Sequence, residues 1–346
     1  ACSTSSLEDL IFMILKYILM KEIKSTKKTN ILKKFLIKIC RIIGYEIIDQ
    51  SNLSFPVSNK NYDDSMSIPG TKSITLGLGE TAITRKVKSL DIIIKTCTGV
   101  QLVSQNKKRI FEQPKLEYTQ RTVNSLLNSA KDLRKKFKDI EIVFTIIDVN
   151  SPEKEISKLL SKISEEGFKN KFVSVDDIKG STNMASTMAS IRKSFEIAKH
   201  SEDIIYFVED DYIHKTNSLA EMLFAYEKFS SIFQKELFLL STDYPYLYKK
   251  MNNAHILTGE NTHWRTVKES LLTFMTSNKM VNKHLDKLLD MATKESSPFE
   301  KNLHDIYESE ICFSPIPSLS LHCTNINSVF GLSPNVNVKK LWDENN

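Results

Sequence analysis

Four short apolar runs, separated by stretches long enough for helices, constrain this chain more than any other feature. They read LDIIIKTCT (90–98), IEIVFTIIDVNS (140–151), KFVSVDD (171–177) and DIIYFVEDDYIH (203–214). Runs of Ile, Val and Phe that do not alternate with polar residues belong to strands covered on both faces. Between them, residues 116–138, 153–165 and 184–200 carry helical patterns. Strand–helix alternation of this length builds right-handed crossovers and a parallel sheet. The expected class is therefore α/β, with a mostly parallel sheet flanked by helices.

The residues before this pattern differ in character. LEDLIFMILKYILM (7–20) is apolar but holds Glu8, Asp9 and Lys16. It is short for a membrane span and lacks the basic start and small-residue cleavage site of a signal peptide. ILKKFLIKICRIIGYEII (31–48) sets Leu32, Phe35, Leu36, Ile39, Ile42 and Ile43 at helical spacing, with Lys and Arg between them. Residues 21–41 carry eight basic side chains and one acid, a local +7 in a chain of net +6. A basic amphipathic helix suits an anionic membrane surface, here through residues 7–48; a helix packed on the protein with a solvated basic face suits the pattern equally. The rest of the chain sums to about −1, so no nucleic-acid partner is expected. Five cysteines without a CxxC pair fit free thiols in a reducing compartment. The expected location is cytoplasmic, peripheral on an inner membrane face. The expected organisation is a helical segment over 1–50, a polar connector over 51–87, and a catalytic domain over 88–346, divided at 214/215.

The chemistry gathers where the fourth run ends in Glu209, Asp210 and Asp211. In open α/β sheets ligands bind beyond the carboxyl ends of strands. Acids there serve either as a solvated turn or as ligands for Mg²⁺ or Mn²⁺, which take one or two carboxylates plus substrate phosphates. Asp148 ends the second run as IID, placed to accept a hydrogen bond from a base or ribose, or simply to form the turn before Asn150 and Pro152. Thr96 and Thr98 end the first run and are candidates for nucleotide contact. His322 lies in an apolar run, as a ligand, a phosphate donor or a core histidine. THWR (262–265) sets His263, Trp264 and Arg265 together. A Trp ring stacks on a sugar face and Arg grips phosphate, although a buried Trp beside a surface Arg explains the same letters.

With FVEDDY at the end of a strand–helix–strand–helix series, the chain resembles GT-A fold, family-2-like glycosyltransferases. HDIYESEICFSPIPSLSLH (304–322) follows a similar downstream order, with His304–Asp305 in place of an acidic pair. STDYPY, HWR, LHDIY and SPIPSLSLHCTN also resemble bacterial members of that group, and the likeness covers about residues 88–335. IDVNSPE keeps only Asp148 and a Ser of the usual DDGS, and KGSTNMASTMASIRK replaces the usual Gly-rich stretch. The resemblance implies a nucleotide diphosphate sugar donor, UDP-sugar favoured, and a saccharide or lipid-linked acceptor. It implies Mn²⁺ or Mg²⁺ on Asp211 and His322, and donor contacts at Thr96, Thr98, Asp148, Glu209, Asp210 and Arg265. Acceptor contacts would fall to Asp243, His263 and Trp264, with Asp305 as the general base of an inverting transfer. The rivals are a nucleotidyltransferase, whose basic Gly-rich loop KTCTGVQLVSQNKKR matches poorly, and an inactive saccharide-binding or membrane scaffold.

Overall fold

The computed structural model describes residues 31–45, 83–99, 109–175, 183–249, 251–293, 298–324, 326 and 328–346. The expected helix over 7–20, most of the connector and parts of the two loop motifs at 95–109 and 179–193 lie outside them. The chain divides into two compact units, residues 1–54 and 55–346. In the first, helix α1 (Ile31–Ile42) exposes Leu32, Phe35, Ile39 and Ile42.

The second unit follows the expected alternation closely. Strand β1 (Ser89–Thr96) leads to α2 (Lys115–Lys136), β2 (Glu141–Asp148), α3 (Glu153–Glu165), β3 (Lys169–Ser174), α4 (Asn183–Ala198) and β4 (Ile204–Glu209). Then come β5 (Tyr212–His214), α5 (Ser218–Phe233), β6 (Phe238–Leu240), β7 (Ile256–Thr258), β8 (His263–Thr266) and β9 (Phe274–Ser277). The chain closes with α6 (Asn278–Lys283), α7 (Leu285–Asp290), α8 (Lys301–Tyr307), β10 (Cys312–Ile316), β11 (Ser320–His322) and α9 (Val338–Asp343).

Nine strands form one sheet in the order β3-β2-β1-β4-β9-β6-β10-β8-β7. The four strands read from the apolar runs are mutually parallel, and β9 pairs antiparallel to β4. Beyond it the sheet is mixed, so the parallel set is the part of the sheet that the pattern led one to expect. β1 and β4 are continuous apolar runs because both faces are covered: Ile92, Ile93, Ile94 and Ile204 to Ile205 are fully buried. β3 is an edge strand, largely exposed, which is why its run is short and carries Lys and Asn.

Successive strand residues point to opposite faces, and β4 shows what lies on each. Phe207 packs edge-on against Phe195 of α4, while Tyr206 packs edge-on against His214 of β5. Helix α2 is polar in sequence yet buried, because its small hydroxyl residues let other backbones come close. Ser125 Oγ accepts from the His214 amide at 3.0 Å, and Ser129 Oγ from the Leu219 amide at 2.9 Å. The residues just before β1 are held as well. Arg85 pairs with Asp203 and Glu236, and the Val87 amide donates to Glu227 at 2.7 Å.

One small ribbon lies apart from the main sheet and decides the site. β5 pairs antiparallel with β11, setting Tyr212 opposite His322. A second apolar cluster supports it, with Ile213, Leu321 and Cys323 packed against Tyr118 and against Leu341 and Trp342 of α9.

Candidate active site

The parallel strands end in register, with Thr96 beside Asp148 and Lys95 beside Glu209. Asp148 is buried, and its carboxylate is saturated locally. It accepts from Thr96 Oγ1 at 2.7 Å, from Ser151 Oγ at 2.5 Å and from the Ser151 amide at 3.0 Å. Thr98 donates to Glu155 at 2.5 Å and its amide to Ser151 Oγ at 2.8 Å. The side chains of Thr96, Thr98 and Asp148 therefore splice β1 to β2 and to the start of α3.

The three acids after β4 have three different environments. Asp210 is buried under α2: Lys115 Nζ lies 2.6 Å away, Thr119 Oγ1 3.0 Å, and the Cys97 amide 3.2 Å. In this geometry the carboxylate expected at a donor sugar points into protein and anchors the head of α2. Burial opposes the Lys115 charge, but Asp210 and Asp211 outweigh it and raise the ammonium pKa. Glu209 is partly exposed, 3.4 Å from Lys95 Nζ, and faces a cavity.

Asp211 is brought to His322 by the ribbon. The Cys323 amide donates to the Asp211 carbonyl at 2.9 Å, and His322 Nε2 lies 3.4 Å from the Asp211 carboxylate. The other ring nitrogen, Nδ1, donates to the Phe330 carbonyl at 2.7 Å, and the ring stacks on Tyr212 at 4.7 Å. Burial pushes the Asp211 carboxyl up, but the charge and hydrogen bond of His322, together with Lys115, hold it well below the usual carboxylate range. Burial likewise lowers His322, and Asp211 more than reverses it. His322 is thus oriented from behind and presents Nε2 beside a carboxylate, which is how a metal-binding histidine is held.

Glu209, Asp211, His322 and Thr324 form one wall of a cavity of about 570 Å³. Tyr246 and Phe330 and, from other segments, Glu269, Ser270, Leu271, Pro298, Glu300 and His304 line the rest. Asp305 is not among its lining residues. It is exposed on α8 and paired with Lys301 one turn earlier at 2.5 Å, away from the cavity lining. Residues four apart share a helix face: Glu300 and His304 face the cavity, and Lys301 and Asp305 form the next stripe. His304 Nε2 lies 3.0 Å from the Ser270 carbonyl oxygen and fixes that wall.

THWR also divides by strand parity. Trp264 is fully buried, and its Nε1 donates to Glu221 at 3.2 Å. It is a core residue, which corrects its expected stacking on an acceptor sugar. On the opposite face of β8, His263 is exposed and Arg265 binds Asp243 at 2.6 Å. Tyr248 donates to the other oxygen of Asp243 and lies under the Arg265 guanidinium, 4.2 Å away. Arg265 and Asp243 pair with each other and are not among the lining residues of the cavity.

Among the described residues no group of three or more His, Cys, Asp and Glu is close enough to hold a metal alone. What fold and site define is an α/β protein with a carboxylate–imidazole pair at the mouth of an acid-lined cavity, beyond the carboxyl edge of a parallel sheet. No protein-family model matches the chain, and no curated protein matches it. Solved structures with similar backbones include the galactosyltransferase LgtC in complex with donor and acceptor sugar analogs, at 13% identity and a TM-score of 0.32 over 62% of this chain and 66% of that one. UDP-glucose pyrophosphorylase complexed with UDP-glucose is 10% identical, TM-score 0.37, over 68% and 94%. The glycosyltransferase GlyE of Streptococcus pneumoniae is 10% identical, TM-score 0.42, over 75% and 60%. What this chain does is read from its own side chains.

Glu269 and Phe330 carried no signal in sequence, whereas Tyr246 closes the STDYPY stretch and Glu300 stands one helical turn before His304.

Proposed function

We propose that the chain transfers a glycosyl group from a nucleotide diphosphate sugar, UDP-sugar favoured, to a hydroxyl of a saccharide or lipid-linked acceptor, with inversion and with a divalent cation. The observation that carries this reading is the Asp211–His322 pair, with Nε2 and carboxylate 3.4 Å apart at the edge of the 570 Å³ cavity. The donor set fits Mn²⁺ or Mg²⁺. One carboxylate held ionised and one imidazole leave further positions for phosphate oxygens and water, as such cations take them. When bound, the cation would neutralise charge growing on the departing diphosphate.

The protein's own residues do the rest. Phe330 and Tyr212 fix the His322 ring. Lys115, close enough to Asp211 to lower its pKa, keeps that carboxylate charged. Glu209 stands beside the pair for a ribose or water contact. Glu300 is the base in this reading: it is less exposed than Glu269, the other carboxylate on that side of the cavity. It takes the acceptor hydroxyl proton as the new C–O bond forms and the bond to diphosphate breaks. The basic stripe of residues 21–41 and the exposed apolar side chains of α1 would hold the chain at an anionic membrane surface.

Titration of a labelled UDP-sugar with and without Mn²⁺ tests the site. Asp211→Asn should abolish the Mn²⁺-dependent part of binding while the circular dichroism spectrum is unchanged. Undiminished donor affinity in that variant removes Asp211 from the site and the metal-dependent reading with it.

A further inference from the structure

His322 presents Nε2 beside Asp211, and the contacts that set its ring come from other segments. One is at its face, where the Tyr212 ring stacks at 4.7 Å. The other is at its edge, where Nδ1 donates to the Phe330 carbonyl at 2.7 Å. Both supports lead to the same short stretch, STDYPY (241–246). Tyr212 and Tyr244 are fully buried, and their hydroxyls hydrogen-bond to each other at 2.7 Å. Phe330 follows Val329, whose carbonyl accepts the Tyr246 amide at 3.1 Å. A side chain of the stretch thus holds the residue under the imidazole, and its backbone holds the turn beside it.

The stretch is itself locked at Asp243. The carboxylate accepts from Arg265 of β8 at 2.6 Å and from the Tyr248 hydroxyl, and the Asp243 amide donates to Ser318 Oγ at 2.8 Å. Ser241 and Thr242 hydrogen-bond to Ser320 Oγ at 2.7 and 2.5 Å, two residues before His322. The Asp243 side chain is 1% exposed and that of Arg265 13%, so water and salt screen the pair little. Held in this way, the Pro245–Tyr248 turn carries Tyr246 into the cavity wall and its amide to Val329.

We infer that the STDYPY stretch positions His322 as a cation ligand, with Asp243 and Arg265 as its lock and Tyr244 as its hold on the ring under the imidazole. The inference rests on the reading of Asp211 and His322 as a divalent-cation pair. A metal-ligating histidine owes its tautomer and orientation to the groups behind it, and removing such a group costs about 10–100-fold in metal affinity. Behind His322 these groups are a carbonyl and a ring, and one stretch fixes the place of both. Asp243 is not among the lining residues of the cavity, so a change there reaches Nε2 only through that stretch. Asp243, Arg265 and Tyr244 are therefore positioning residues.

Two measurements on the full chain test this. One is Mn²⁺ affinity at saturating UDP, from the paramagnetic resonance signal of free Mn²⁺. The other is exchange protection of the His322 Nδ1 proton in the metal-free protein by NMR, with His322→Gln assigning the signal. Tyr244→Phe, which removes one hydroxyl, should weaken Mn²⁺ about tenfold, and Asp243→Asn at least as much. Both should speed exchange of the Nδ1 proton several-fold. Trp264→Phe, a core change on the opposite face of β8, should lower stability and leave both readouts as in the wild type, which separates positioning from general loosening. Should Asp243→Asn fail to fold, Tyr244→Phe carries the test. Wild-type Mn²⁺ affinity and Nδ1 protection in Tyr244→Phe would overturn the inference, and so would equal losses in Trp264→Phe. A wild-type chain that binds no Mn²⁺ would refute the cation reading instead. The Nδ1 proton would then decide alone: protection lost in Tyr244→Phe sustains the positioning of His322, and protection kept overturns it.

Discussion

Replacing His214 with Gln should flatten the acid side of the stability curve. His214 is fully buried on β5, with Nε2 2.6 Å from the Tyr206 hydroxyl and Nδ1 3.5 Å from Ser125 Oγ. The Tyr206 hydroxyl donates to Nε2, so the ring is neutral, with its proton on Nδ1. Burial pushes its pKa down to about 3, against about 6.5 in an unfolded chain. Between those values the folded state binds fewer protons than the unfolded one. The stability is therefore fully present above about pH 6.5 and is lost as pH falls toward about 3. At about 1.4 kcal/mol per pKa unit, the loss from this one group between about pH 7 and pH 4 is about 3 kcal/mol. That is a large share of the roughly 5–15 kcal/mol that holds a domain folded. Gln offers a carbonyl to Tyr206 without a proton to gain. Urea unfolding of wild type and His214→Gln at both pH values measures the difference in slope. An equal loss in the two proteins, or a His214 ring signal titrating near the unfolded value by NMR, would refute the reasoning.

Arg85→Ala should cost about 2–3 kcal/mol in urea unfolding, because it strands Asp203 and Glu236 in a partly exposed cluster, short of the cost for a fully buried pair. Trp264→Phe should destabilise by about 1–2 kcal/mol by leaving Glu221 without its indole partner, and should leave saccharide affinity unchanged; a selective loss of acceptor binding would restore Trp264 to the site. In a transfer assay, Glu300→Gln should lower turnover by about 10²–10⁴-fold with donor affinity kept, while Asp305→Asn should be close to wild type. Deleting residues 1–49 should weaken co-sedimentation with anionic vesicles at low salt, since each basic residue near such a surface contributes about 1 kcal/mol, and the effect should fade as salt screens it.

The parallel half of the fold was legible because its signal is local. Each of β1, β2 and β4 is a continuous apolar run, and the helices between them keep a face of Ile, Leu and Ala. The boundaries agree within a few residues from Ser89 to Glu209. The mixed half was not legible to the same degree. β6, β7, β8 and β9 are three or four residues long, too short for a periodicity to show, and their order in the sheet is fixed by contacts distant in sequence.

The site divides along the same physical line. Asp211 and His322 are neighbours because the β5–β11 ribbon joins them, and nothing in either segment names the other. Neighbouring letters of the motifs do not stay together in the structure. Glu209, Asp210 and Asp211 are consecutive, so the backbone must send them different ways: one to the cavity, one under α2, one to His322. Trp264 and Arg265 are consecutive on a strand and so face opposite sides. His304 and Asp305 are consecutive on a helix, about 100° apart, and only His304 lines the cavity. The residue that shares the His304 face is Glu300, four positions away. A motif read as a string gathers side chains that its own secondary structure separates, and Asp243 and Arg265 show the converse: two distant letters whose chemistry is spent on each other, to hold Tyr246 in the cavity wall.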